Sequence, residues 1–226
     1  MGRLKFLTGT AFLLLITNSL AVKVNAQEDS GGKFSVNADL FSSYVWRGSK
    51  LGNGPAFQPS VSFGSGGLTA GVWGSFDAGG YMEADPYISF SFPFGLSLGL
   101  TDYYMPDLSL FDISGETGSH GLELNFCFEK GNFSLSANCI VNEAGGAGSE
   151  GGDLYFQAGY AFKNISVFAG AGDGWHTTDG EFNLCNLGLE VLKEIQVTDR
   201  FSIPVTGQIV VNPESEKLFV VAGISF

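Results

Sequence analysis

Charge is what this sequence has least of. Asp, Glu, Lys and Arg make up 15% of it, against about 25% in an ordinary soluble domain. Basic residues are scarcer than acidic ones, 11 against 23, which excludes nucleic acid as a partner, since phosphate binding needs clustered Lys and Arg. After residue 26 no run of 18 apolar residues occurs, so helical membrane spans are excluded. Only three cysteines are present, at irregular spacing, which provides neither a disulfide framework nor a zinc ribbon. Proline is sparse as well, at 7 residues. In their place stand 33 Gly and 21 Phe. A chain so rich in aromatics is not disordered.

The N-terminus reads as an export signal. Arg3 and Lys5 precede a short apolar stretch from Phe6 to Ile16, and Val24-Asn25-Ala26 sets small residues at a cleavage site. The stretch is too short to span a bilayer. The expected domains are a signal peptide over 1–26 and a barrel over 27–226. Removing 26 of 226 residues, including Arg3, Lys5 and Lys23, leaves 200 residues with eight basic and 23 acidic side chains, a formal charge of −15.

Period-two alternation dominates what remains. Phe34, Val36, Ala38, Leu40, Tyr44 and Trp46 share one face of a first strand expected over 33–47. Leu122, Leu124, Phe126 and Phe128 alternate with Glu123, Asn125 and Cys127. Twelve such segments are expected, of the length a tilted membrane strand requires. The further eleven fall over 56–64, 67–77, 82–92, 95–105, 118–129, 132–142, 153–162, 165–173, 182–197, 200–211 and 216–226. Tight turns such as Ser65-Gly66 and Lys130-Gly131 alternate with long polar loops such as 48–55, 106–117 and 143–152. An outer-membrane barrel sorts its connections in this way, with short periplasmic turns and longer external loops. The expected fold class is therefore all-β, a transmembrane antiparallel β-barrel of about 12 strands. A ten-stranded variant is the main alternative, because 56–64 and 153–173 are rich in Pro or Gly.

Aromatics gather beside the tight turns (Phe94, Phe133, Phe162, Phe201) and toward the loop ends (Tyr44, Trp46, Tyr81, Trp175), as interfacial belts do. The chain ends in Phe226, after Val220, Ala222 and Ile224, which implies recognition by barrel-assembly machinery in an outer membrane of Gram-negative type, with lipid as the surrounding partner.

The run Ser35-Val36-Asn37-Ala38-Asp39-Leu40-Phe41-Ser42-Ser43-Tyr44-Val45-Trp46-Arg47-Gly48 resembles the opening of the TorF family of porin-type bacterial proteins. Gly54-Pro55-Ala56-Phe57-Gln58-Pro59 and Leu68-Thr69-Ala70-Gly71-Val72-Trp73-Gly74-Ser75 resemble that family's next two segments. The resemblance covers about residues 33–105. It implies an outer-membrane location and a pore, and brings no substrate, cofactor or catalytic residue.

Strand parity points Asp39, Glu83, Asp85, Glu123, Asp153, Glu190 and Glu194 into the lumen, against Arg47 and Lys217. Such an excess of acids favours cations in a confined aqueous path. Twelve strands give a backbone radius of roughly 12 Å, so inward aromatics such as Trp73, Tyr103 and Tyr155 are able to narrow or close it. Arg47 is expected to pair with lumenal acids, as buried arginines do. The candidate pore-lining set is Asp39, Arg47, Glu83, Asp85, Glu123, Glu190 and Glu194, for a channel passing small polar solutes or ions. The alternatives are a closed-lumen structural or binding barrel and, third, a lipid-modifying enzyme.

Histidine chemistry has two starting points, His120 and His176. Ser119 and His120 are neighbours on a strand and point to opposite faces, so they form no nucleophile–base pair. Asp173, His176, Asp179 and Glu181 match no EF-hand spacing and read as a solvated acidic loop. The glycines at 145, 146 and 148 open no helix, so they form no nucleotide loop. No cofactor is expected. A turn at 131–132 sets Cys127 opposite Ser136 and Cys139 opposite Leu124, on opposite walls. Cys139 and Cys185 are expected against lipid, and Cys127 in the lumen.

Overall fold

The structure is a computed structural model describing residues 32–199 and 201–226. The export signal expected over 1–26 lies outside the described residues. Fourteen strands are present among the described residues: β1 (Lys33–Phe41), β2 (Tyr44–Trp46), β3 (Ser49–Leu51), β4 (Ala56–Ser65), β5 (Leu68–Asp77), β6 (Met82–Ser91), β7 (Leu96–Tyr104), β8 (His120–Lys130), β9 (Phe133–Ile140), β10 (Leu154–Phe162), β11 (Ile165–Gly172), β12 (Asn183–Thr198), β13 (Phe201–Asn212) and β14 (Lys217–Ser225). One 3₁₀ turn covers Gly174–His176. All but β2 and β3 form a closed antiparallel barrel of twelve strands, each paired to its sequence neighbour, with β1 joined to β4 on one side and β14 on the other. The twelve-strand count holds over the ten-strand alternative.

Alternation explains the wall. One apolar residue from each barrel strand (Val36, Val61, Val72, Ile88, Leu100, Leu124, Leu135, Phe156, Val167, Leu189, Ile209 and Val220) faces outward with 38–69% of its surface exposed. The polar partners in the alternation face in and are buried, among them Gln58, Ser75, Thr101, Glu123, Asn125 and Glu190. A soluble sandwich has the opposite polarity, apolar within and polar without. A barrel that is apolar outside and polar inside is built for lipid.

The register of β8 with β9 is the expected one, Cys127 opposite Ser136 and Leu124 opposite Cys139. No Cys127–Cys139 disulfide forms, because Cys127 faces the lumen while Cys139 lies on the outer wall.

Three expectations need correction. First, the initial strand does not run to residue 47. It leaves the wall at Ser42, whose N–H bonds the Ala222 carbonyl at 2.8 Å and whose hydroxyl accepts from the Ala222 N–H at 3.0 Å. Residues 44–51, expected partly as strand and partly as external loop, form a separate two-stranded hairpin. Second, Cys185 faces inward and is fully buried. A β-bulge, where β12 carries an extra residue opposite Gly170/Ala171, puts both Cys185 and Asn186 on the inner side; a bulge resets strand parity. Third, β12 and β13 outrun their neighbours. The last β11 pairing is with Val191 and the last β14 pairing is with Val205. Glu194, paired with Pro204, falls on this extension and is exposed rather than lumenal.

Candidate functional site

The hairpin 44–51 fills the loop-side half of the lumen. Tyr44 pairs with Leu51 and Trp46 with Ser49, and the two central residues, Arg47 (φ 47°) and Gly48 (φ 84°), both have positive φ. That is the type I′ pattern, the tight hairpin turn whose second central position favours Gly. The Arg-Gly dipeptide between Tyr44-Val45-Trp46 and Ser49-Lys50-Leu51 was the signal that could have revealed the hairpin.

Its contacts reach around the barrel wall. Tyr44 packs on Trp73 of β5 and on Tyr81, with ring centroids 5.4 and 6.0 Å apart. Trp46 lies 5.3 Å from Tyr103 of β7, 5.6 Å from Trp175 and 5.2 Å from His176. The Gly48 carbonyl accepts from Asn212 of β13 at 3.1 Å. A Cβ on Gly48 would fall 1.9 Å from the Cys185 carbonyl oxygen, so only glycine seats the turn against β12. Tyr44, Trp46, Tyr81 and Trp175, expected in an interfacial belt, instead belong to this lumenal cluster.

Arg47 is its polar anchor. Nη1 donates to Glu123 Oε1 at 2.6 Å and Nη2 to Oε2 at 2.8 Å. The guanidinium lies over the rings of Trp46 and Tyr155, at 4.7 and 4.4 Å. Burial pulls the Arg47 pKa down, but the Glu123 charge outweighs it and holds it above the ordinary value. Nη1 also lies 3.2 Å from His176 Nε2. A guanidinium can only donate, so Nε2 accepts and the proton of this imidazole sits on Nδ1. Burial, reinforced by Arg47, pushes the His176 pKa down to about 2, which keeps the ring neutral. The expected solvated loop over 173–181 is thus partly an inward one, with His176 buried.

Glu123 is satisfied from several sides, accepting from Tyr103 at 2.9 Å and from Asn125 at 2.6 Å in addition to Arg47. Asn125 continues to Asn138 and Thr101. Of the expected site residues, Asp39, Glu83, Asp85, Glu123 and Glu190 are buried facing the lumen with Arg47, and Asp153 is buried in the loop layer under Ser149 and the Trp175 N–H. Lys217 is exposed at the loop end of β14. Among the described residues, buried carboxylates therefore number six against one buried guanidinium.

The opposite half of the lumen differs. Ser60, Ser62, Thr69, Gly71, Ser91, Gly99, Ser134, Gly159 and Ser166 line it and are only half-buried. The lumen is filled by the hairpin at the loop end, while toward the tight-turn end small residues alternate with inward rings, Tyr87 over Gly71 and Phe168 over Gly188. A cavity of about 80 Å³ lies between the two halves, bordered by Arg47 and Gly48 above and by β9 to β13 around.

His120 lies at the loop end of β8 with its Nδ1 2.8 Å from Asp102. Its Nε2 meets the Leu110 carbonyl at 2.9 Å, and the Ser119 hydroxyl donates to the Ser109 carbonyl at 2.7 Å. The nitrogen that a serine nucleophile would need is thus engaged by backbone. No group of three or more metal-ligating side chains is present among the described residues.

A model of the family described as "Bacterial protein of unknown function (Gcw_chp)" matches residues 25–192. The chain belongs to the Gcw_chp family. The match establishes that family and not the TorF name, which rests on the resemblance of residues 33–105. No curated protein matches the sequence. Among solved structures, the chain is similar to a mutant of the porin of Rh. blastica at 13% identity and a TM-score of 0.40, over 76% of this chain and 55% of that one. It is also similar to the outer membrane phospholipase dimer of Salmonella typhi with bound calcium, at 14% identity and 0.43, over 88% and 92%. The outer membrane phospholipase A of Escherichia coli follows at 10% and 0.36, over 86% and 87%. This Gcw_chp barrel spans little more than half the length of the porin it matches, and its fold resembles those of bacterial outer-membrane proteins.

Proposed function

We propose that this Gcw_chp protein is an outer-membrane, porin-like channel whose own 44–51 hairpin shuts it at rest, and which passes small polar solutes, cations preferentially, when the hairpin withdraws. The observation that carries this reading is the hairpin itself, seated in the loop-side lumen by the Arg47–Glu123 pair. The excess of buried lumenal carboxylates supports cation preference. The outward apolar band supports a lipid environment, and the short apolar stretch Phe6 to Ile16 behind Arg3 and Lys5 supports export. The engagement of His120 Nε2 by backbone supports a non-enzymatic role.

A second reading is a barrel closed for good, favoured by the packing of Trp46 against three rings. Planar-bilayer recording separates the two. The whole protein is expected to be largely silent, and a variant with residues 44–51 replaced by a short Gly/Ser linker is expected to give stable, cation-selective steps that lose selectivity as salt screens the wall. A folded linker variant that stays silent supports the closed barrel, and anion preference at low salt contradicts the lumenal assignment. Unchanged gel migration with and without boiling, together with recovery in soluble periplasm, would overturn the membrane reading.

A further inference from the structure

The cavity beneath the hairpin has a chemistry of its own. Its borders carry one carboxylate, Glu190, and one guanidinium, Arg47, the latter held by Glu123. Gln208 donates to Glu190 at 2.6 Å as Arg47 donates to Glu123, so both charged borders are engaged and neutral groups are left to meet a guest. Four carboxamides line it, Asn138, Gln157, Asn186 and Gln208. Such groups both donate and accept, and hydroxyls do the same. Asn186 donates to the Tyr155 hydroxyl at 2.8 Å and to Gln157 Oε1 at 3.1 Å, while its own carbonyl oxygen is buried without a partner among the described residues. Phe168 supplies an apolar wall. Its ring lies flat over Gly188, where an added Cβ would meet it at 2.0 Å.

Size narrows the class further. A volume of about 80 Å³ is several times the roughly 10–15 Å³ that admits a single water, so the cavity suits a guest of a few non-hydrogen atoms.

We propose that this cavity is a binding site for a small neutral polyol of three or four carbons, its hydroxyls held by Gln157 and Gln208 and its C–H face against Phe168. The site does not depend on conduction, so it stands or falls separately from the channel reading.

Saturation-transfer NMR on the folded full-length barrel in detergent tests it, with glycerol, erythritol, glycine and glucose as probes. Transfer to glycerol and erythritol is expected, with little to zwitterionic glycine or to the larger glucose. Ser136→Phe, which fills the cavity from β9, is expected to reduce polyol transfer at least fivefold while leaving heat-modifiable migration unchanged. Phe168→Ala, which enlarges the cavity, is expected to admit glucose. Absence of polyol transfer in the unaltered protein overturns the proposal, as does preference for glycine or equal transfer in a folded Ser136→Phe variant.

Discussion

The Arg47 guanidinium and the Glu123 carboxylate, 76 residues apart in sequence, meet inside the barrel through two hydrogen bonds of 2.6 and 2.8 Å. Arg47 comes from a hairpin tip and Glu123 from the wall, so this contact ties the tip to β8, beside the packing of Trp46 and the Asn212–Gly48 hydrogen bond.

Removing one partner of a buried pair strands the other charge, at a cost of about 3–5 kcal/mol. Arg47→Ala is therefore expected to weaken the barrel by that order and to release the hairpin. Glu123→Gln keeps an acceptor for Tyr103 but leaves the guanidinium without its countercharge, and is expected to cost the same order. Denaturant unfolding from micelles measures both, and losses below about 1 kcal/mol would show that the pair does not hold the hairpin.

Gly48→Ala places a Cβ against the Cys185 carbonyl at a positive φ. The backbone strain alone is roughly 1–2 kcal/mol for an L-residue, and the close contact adds to it. The hairpin is expected to lose its seat while the wall remains. Trypsin cleavage after Lys50 should accelerate by about tenfold or more, read by mass spectrometry. An unchanged cleavage rate would mean that the turn can reposition.

Thiol labelling tests the bulge. Cys185 is fully buried beneath the Gly48 turn and is expected to resist maleimide in the unaltered protein and to label in Gly48→Ala. Cys139, on the outer wall, should label only with a lipid-soluble reagent in both. Ready labelling of Cys185 by a lipid-soluble reagent in the unaltered protein would restore it to the outer face.

Acid should weaken the hairpin through His176. Unfolded, the imidazole titrates near its ordinary 6.5; buried beside Arg47 it titrates near 2. Between these values the unfolded chain binds the additional proton, so stability rises with pH across the window. The contribution is complete above about pH 6.5 and is lost as pH falls toward 2. His176→Gln keeps an acceptor for Arg47 without titrating, and melting curves between pH 8 and 4 should flatten in that variant. A slope identical to that of the unaltered protein would assign the acid sensitivity to other groups.

Much of this was legible in the chain. Twelve alternating segments, their tight turns and the pairing of Leu124 with Cys139 follow from a period of two and from turn length, both local properties. The facing of Asp39, Glu83, Asp85, Glu123 and Glu190 follows from the same parity. Three features did not. The alternation runs on through Ser42 and Ser43, so residues 44–46 look like more wall, and nothing local says that the chain has turned inward. The bulge at Cys185 adds one residue and flips a face. The overhang that exposes Glu194 depends on where β11 and β14 stop.

By itself, then, the sequence determined the wall: its polarity, its strands and which side chains share each face, because every strand repeats the same local rule. Only the tertiary structure decided what fills the lumen. An inward-facing residue has the same sequence signature whether it meets water or another segment. Whether Glu123 meets water or Arg47 depends on the closed circle of strands that brings residues 47, 103, 123, 176 and 212 to one level.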